Sequence, residues 1–197
     1  MSALRIAVLA AALPFALCAM DDEGSSVDHH LRLSGHLLPD AYSASADGDR
    51  ATGEFDGFTR LRLGYLASIA FNSEAAFLIG VHGVQSTLEP DNDDEDGDEI
   101  DQLGGGVEIG VAATPVRNLA FEFTAHGGMG TAEGDDDLDG HYGEFGLTFR
   151  PVVRVTMVEF FAELGYFWQK QKLEDSGIDI DIRITGAQFA LGAGLVF

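Results

Sequence analysis

The sequence predicts an all-β fold, specifically an eight-stranded antiparallel up-and-down transmembrane β-barrel. Three observations carry this. Beyond residue 28, apolar residues recur with period two, the signature of strands with two unlike faces. The connections alternate between short turns and long acidic loops, the layout of an up-and-down barrel in a membrane. The bulky face of each run is almost wholly Phe, Leu, Ile, Val and Tyr, while the other carries Gly, Ala, Ser, Thr, Glu, Arg and His. A soluble barrel places its large apolar side chains inside. Here the opposite face is too small and too polar to line a greasy pocket, so the bulky face is expected to meet lipid.

Composition agrees. A chain of 197 residues is long enough for one domain. Eleven Lys and Arg against 33 Asp and Glu give a net charge of −22, which argues against a nucleic-acid partner, because phosphate binding needs basic patches. A hydrophobic content of 46% with 25 Gly and 14 Phe excludes a solvated disordered chain. The single cysteine, Cys18, excludes a disulfide framework and a zinc-thiolate site.

Residues 1–19 read as a cleaved secretory signal, leaving 20–197 as the barrel domain. Arg5 precedes an apolar run from Ile6 that ends in small residues before Asp21, Asp22 and Glu23. The run is shorter than the roughly 20 apolar residues a membrane helix needs. Ala16-x-Cys18 or Leu17-x-Ala19 supplies the cleavage site, and bulky Leu17 disfavours a lipoprotein reading through Cys18. No later segment is long and apolar enough for a transmembrane helix.

Eight alternating runs follow, at about 31–37, 60–71, 77–82, 107–112, 119–126, 144–149, 160–168 and 188–197. Three connections are short: 72–74, 114–118 with Pro115, and 150–154 with Pro151. Four are longer, roughly 38–57, 87–102, 130–140 and 169–180, and hold most of the 33 carboxylates. Both termini therefore fall on the short-turn side. No basic residue sits mid-strand on the bulky face, where each would cost about 2–4 kcal/mol in lipid. Aromatics near strand ends, including Phe58, Phe71, Phe149, Phe160, Tyr166, Trp168 and Phe197, are expected to form interfacial girdles.

One segment breaks parity. Ile178, Ile180, Ile182 and Ile184 are even-numbered, whereas the apolar face resumes on odd positions from Phe189. Either an inserted residue flips the face, with Gly186 suited to a bulge, or the Ile run rises above the bilayer in a long hairpin with 166–172.

At this point the chain resembles the small eight-stranded bacterial outer-membrane barrels, broadly OmpA- or OmpX-like, over residues 28–197. The most specific feature is the terminal run Phe189-x-Leu191-x-Ala193-x-Leu195-x-Phe197, which ends on Phe. In that family such a terminus looks like the signal read by the barrel-assembly machinery. The resemblance implies an outer-membrane location reached by export, contact with outer-membrane lipid and lipopolysaccharide, and a monomer. It names an architecture, and function does not follow from architecture.

The inward face carries Arg32, Arg60, Arg62, Glu108, Glu122, Glu144, Glu163, His82 and His126. An eight-stranded barrel is just wide enough inside for side chains to fill. Carboxylates enclosed there need partners, so a lumen packed with an ion-pair network is expected; the other reading is a gated ion path. Inward Gly80, Gly110, Gly146, Gly165, Gly192 and Gly194 would suit a narrow channel. An enzyme is not expected. The barrel deacylases use a His-x-Ser pair, which this sequence lacks; His82 and Ser86 lie about 13 Å apart on a strand, and Thr124 beside His126 is a weak nucleophile.

No cofactor is expected, calcium at the acidic loops being the single candidate and a solvated acidic rim the other reading. Asn92, Asp94, Asp96 with Gly97, and Asp135, Asp137, Asp139 with Gly140, match the first half of a calcium loop. Both departures fall at the twelfth position, where Leu103 and Gly146 stand in place of a bidentate Glu. The expected function is a structural or surface-interaction role with a filled lumen, the alternative being a narrow porin-like channel.

Overall fold

Alternation of apolar and polar side chains over long stretches builds strands, and strands in lipid must pair along both edges. The computed structural model describes residues 27–38, 41–46, 49–90, 99–134, 138–175 and 178–197. Its strands are β1 Val27–Leu37, β2 Ala41–Ala46, β3 Asp49–Ala70, β4 Ala75–Pro90, β5 Ile100–Val116, β6 Leu119–Gly134, β7 Asp139–Val155, β8 Val158–Asp175 and β9 Ile178–Val196. Every pairing is antiparallel, and β1 closes the sheet on β9. The leader assigned to 1–19 lies outside the described residues.

The nine strands make eight barrel positions. β1 and β2 occupy the same place between β3 and β9, with β1 at the turn end and β2 at the loop end. Their register against β9 is continuous, from Leu37↔Phe189 to Tyr42↔Ile184. A bulge lies instead in β3, where the register against β4 shifts between Phe55 and Gly57. Following directly paired residues around the wall from Leu195 through Leu31, Tyr65, Val81, Val107, Gly127, Phe145 and Trp168 returns to β9 at Thr185. That displacement along β9 is the stagger a closed, tilted barrel requires.

The strands run further than their sequence patterns suggest. The turn placed at 114–118 tightens to Arg117–Asn118, and the one placed at 150–154 moves to Thr156–Met157. Pro151 sits within β7 opposite Phe121 of β6, while the ladder to β8 skips it. A proline lacks the N–H that one side of the ladder needs and is tolerated there. Much of the segments assigned to long loops is also strand. β9 alone has 19 residues, roughly 60 Å at the usual rise per residue. A bilayer needs only about 9–11 residues per strand, so the wall continues well beyond the lipid at the loop end.

That extension resolves the parity break. β9 pairs with β8 without interruption from Asp175↔Ile178 to Val158↔Leu195, so the bulge proposed at Gly186 is absent. Ile182 and Ile184 keep their side and point into the barrel, at 7% and 0% exposure. Here the outer surface meets water rather than lipid, and the apolar face is the inner one. Phe58, Leu88, Ile100, Ala132, Phe167 and Leu173 pack with them as a core. Phe58 is therefore an interior residue, not part of a girdle. Lower down the polarity inverts: Leu33, Leu61, Ile109, Phe123 and Leu164 face outward, each about half exposed (49–57%).

Candidate functional site: a filled lumen and a charged outer rim

The inward parity of seven strands delivers a charged layer to the middle of the barrel. Arg32, Arg60, Arg62, Glu108, Glu122, Glu144, Glu163, His82 and His126 are all buried there. Arg32 donates to both oxygens of Glu122 at 2.7 and 2.8 Å and, through Nε, to Glu159. Arg62 donates to Glu108 Oε2 at 2.7 Å and to His82 Nδ1 at 2.9 Å. Arg60 donates to Glu144. The His126 ring lies edge-on to His82, 5.9 Å between centroids.

Three members were not anticipated: Arg150, Glu159 and its partner His30. Arg150, assigned to a turn because Pro151 follows it, is the hub: NH1 lies 2.9 Å from Glu122 and 3.0 Å from Glu108, and NH2 lies 2.9 Å from Glu163. Glu159, one residue before the expected start of its strand, pairs with Arg32 and accepts from His30 Nδ1 at 3.0 Å. Parity was the missed signal, since Arg150 continues the face of Thr148 and Glu159 that of Phe161. Phe161 is wedged among the charges, with the guanidinium carbons of Arg32 and Arg150 at 5.2 and 5.3 Å from its ring centre. Such contacts let a buried cation gain from an apolar neighbour.

The layers above and below are also filled. Gln102 donates to Gln171 across the lumen at 2.8 Å, beneath the apolar core of the loop end. At the turn end Leu66, Leu78 and Ala112 form a smaller apolar cluster. Within the charged layer, a void bordered by Arg32, Arg62, Glu108, Arg150 and Glu163 measures about 20 Å³, room for about one water.

The inward glycines do not widen a passage. A Cβ built at Gly192 would meet the Phe161 ring at 2.3 Å and one at Gly146 the His126 ring at 2.3 Å, while at Gly80, Gly110, Gly165 and Gly194 the first atom met is a carbonyl oxygen of the neighbouring strand. Glycine here lets bulky side chains lie flat against the wall. The channel reading loses the feature that suggested it. His126 and Thr124, the weak catalytic candidates, are both enclosed in the lumen, away from any lipid at the outer surface.

Outside, the acidic segments are ordered by the ladder. Asp101, Glu133, Asp139, Glu174 and Asp179 are directly paired neighbours across β5 to β9, forming one row of carboxylates. Of the calcium candidates, Asp139 lies in this row, and Asn92, Asp94, Asp96, Asp135 and Asp137 lie outside the described residues. Among the described residues, no three His, Cys, Asp or Glu side chains are grouped to hold a metal ion. Below the row, Lys170, Lys172 and Arg183 are exposed on β8 and β9. Phe189, Leu191, Leu195 and Phe197, expected from the sequence to form an assembly signal, all face outward.

These features define a small, closed antiparallel barrel with a lipid-type exterior and a packed interior. Among solved structures it is similar to Ail, the attachment invasion locus protein of Yersinia pestis, at 13% identity and a TM-score of 0.42, covering 87% of this chain and 99% of that one. It is similar also to the outer membrane protein OprG from Pseudomonas aeruginosa, at 16% identity and a TM-score of 0.48 over 88% and 97% of the two chains. Neisserial surface protein A gives 14% identity and a TM-score of 0.47 over 89% and 100%. The likeness is one of fold alone. No protein-family model and no curated protein matches the sequence.

Proposed function

We propose that this chain is a monomeric integral protein of the bacterial outer membrane with a structural or surface-interaction role, and that it does not conduct. On this reading residues 1–19 are removed on export, and the outward Phe189, Leu191, Leu195 and Phe197 are what the assembly machinery recognises. The loop end, with its acidic row, is the working surface. The observation that carries this reading is the lumen: five glutamates and four arginines are buried among the described residues, and apolar side chains cap them at both ends. Opening a path would break several charged pairs at once, each costing several kcal/mol when one partner is left alone.

Recording from planar bilayers containing the refolded protein tests it. The expected record is a flat baseline. Discrete, stable conductance steps would overturn the closed-lumen reading.

A further inference from the structure

At the turn end of the barrel, His30 has one ring nitrogen in use and one to spare. Nδ1 donates to Glu159 Oε2 at 3.0 Å, and Arg32 holds the other oxygen of that carboxylate. This pairing keeps the hydrogen on Nδ1, so the neutral ring offers Nε2 as an acceptor. His30 is 1% exposed, and Nε2 has no partner among the described residues. A buried polar atom in that condition costs free energy, and in a native fold it needs a reason.

The ring borders a cavity of about 230 Å³ that opens between the turns at 71–74 and 117–118. Glu122 closes its inner end, with both oxygens taken by Arg32 and one also by Arg150. The middle is apolar, lined by Ala76, Ala112, Leu119 and Val152. On the wall, Arg154 is paired with Asp28 at 3.0 Å. Arg117 at the mouth has no acidic partner among the described residues. Asn72, also at the mouth, commits its carbonyl oxygen to the backbone N–H groups of Glu74 and Ala75 at 2.8 and 2.9 Å, which leaves its NH2 group to donate elsewhere.

From the mouth inward, the cavity offers a cation with an amide donor, then an apolar wall, then a single acceptor. Its complement carries one negative charge, a short hydrocarbon body and an O–H donor at the far end. We infer that the turn-end cavity is a binding site for a short hydroxycarboxylate. The carboxylate meets Arg117 and the Asn72 amide, and the hydroxyl donates to His30 Nε2. A guanidinium presents two N–H groups in the spacing of the two carboxylate oxygens. Inorganic phosphate would leave the apolar wall uncovered, and a plain hydrocarbon would leave Nε2 unpaired. The site lies at the end of the barrel opposite the acidic working surface, so it goes beyond the role proposed above. The charged layer makes it a blind pocket, and binding there is independent of conduction.

Matched ligands and matched variants test it. The processed chain, refolded in nonionic detergent micelles, is titrated calorimetrically in mildly alkaline buffer with γ-hydroxybutyrate, butyrate and butanediol. Butyrate lacks the hydroxyl and butanediol the carboxylate. Each is expected to bind about tenfold or more weakly than γ-hydroxybutyrate, the scale of one lost hydrogen bond to a buried or charged partner. His30→Phe is expected to abolish the preference for γ-hydroxybutyrate over butyrate while leaving butyrate binding unchanged. Arg117→Gln, on an exposed turn, is expected to abolish the preference over butanediol, and it serves if His30→Phe does not fold. Equal binding of the three compounds, a preference that survives its variant, or no binding by a folded barrel would each overturn the site.

Discussion

Arg32 and Glu122 form a two-pronged pair, 2.7 and 2.8 Å, from strands on opposite walls of the barrel. In the order around the sheet, β1 and β6 are as far apart as two strands can be. The pair is therefore a strut across the lumen, and the bidentate geometry fixes both its direction and its length. Arg150 braces the same carboxylate from β7.

Removing the brace should be severe. Arg150→Met leaves Glu108, Glu122 and Glu163 without their shared cation, and loss of one partner from a buried ionic cluster costs about 3–5 kcal/mol. Urea unfolding of the refolded barrel in lipid vesicles should show this as a lowered midpoint. A variant within experimental error of the parent would show that the pairs are not structurally important.

The glycines supply a matched comparison. Gly192→Ala drives a methyl into the Phe161 ring and should destabilise the barrel by about 1–3 kcal/mol, as overpacking does. Gly143→Ala, where nothing lies within 4 Å, should be close to neutral. The difference between their unfolding midpoints is the quantity to measure.

The apolar core at the loop end should behave like that of a soluble protein. Phe167 is fully buried against Phe58, so Phe167→Ala should cost about 3–5 kcal/mol through the void it leaves. Conductance should stay at baseline, because the charged layer beneath is intact. Current through this variant would identify the apolar core as the gate.

The turn between β7 and β8 carries local strain. Thr156 has φ of 58°, in the left-handed region that a β-branched residue adopts at a cost. Thr156→Gly should therefore raise stability by about 0.5–1 kcal/mol, the relief of the φ strain exceeding the added entropy of the unfolded chain. A lowered midpoint would contradict the strain.

Compactness offers the simplest check. The unboiled protein should migrate on SDS gels differently from the boiled one, as a detergent-resistant barrel does. Identical mobility would remove the basis for a closed barrel in detergent.

The alternation of Leu31, Leu33, Leu61, Leu63, Phe121 and Phe123 with Arg32, Arg60, Arg62 and Glu122 determined by itself that the chain forms strands with one lipid face and one polar face. Side-chain parity is a local property, imposed by whatever lies on each side of a strand, and so it can be read along the chain. Strand ends were less legible: Pro151 hid the continuation of β7 through Arg150, and the density of Asp and Glu hid the strands beyond the membrane. The Ile178–Ile184 parity was visible but ambiguous, because a flipped face and a changed environment leave the same pattern. Only the closed structure decided between them. It also decided which charges meet, since Arg32–Glu122, Arg150–Glu163 and the Lys170–Arg183 pair depend on the register and stagger of the whole barrel, a condition no single segment contains.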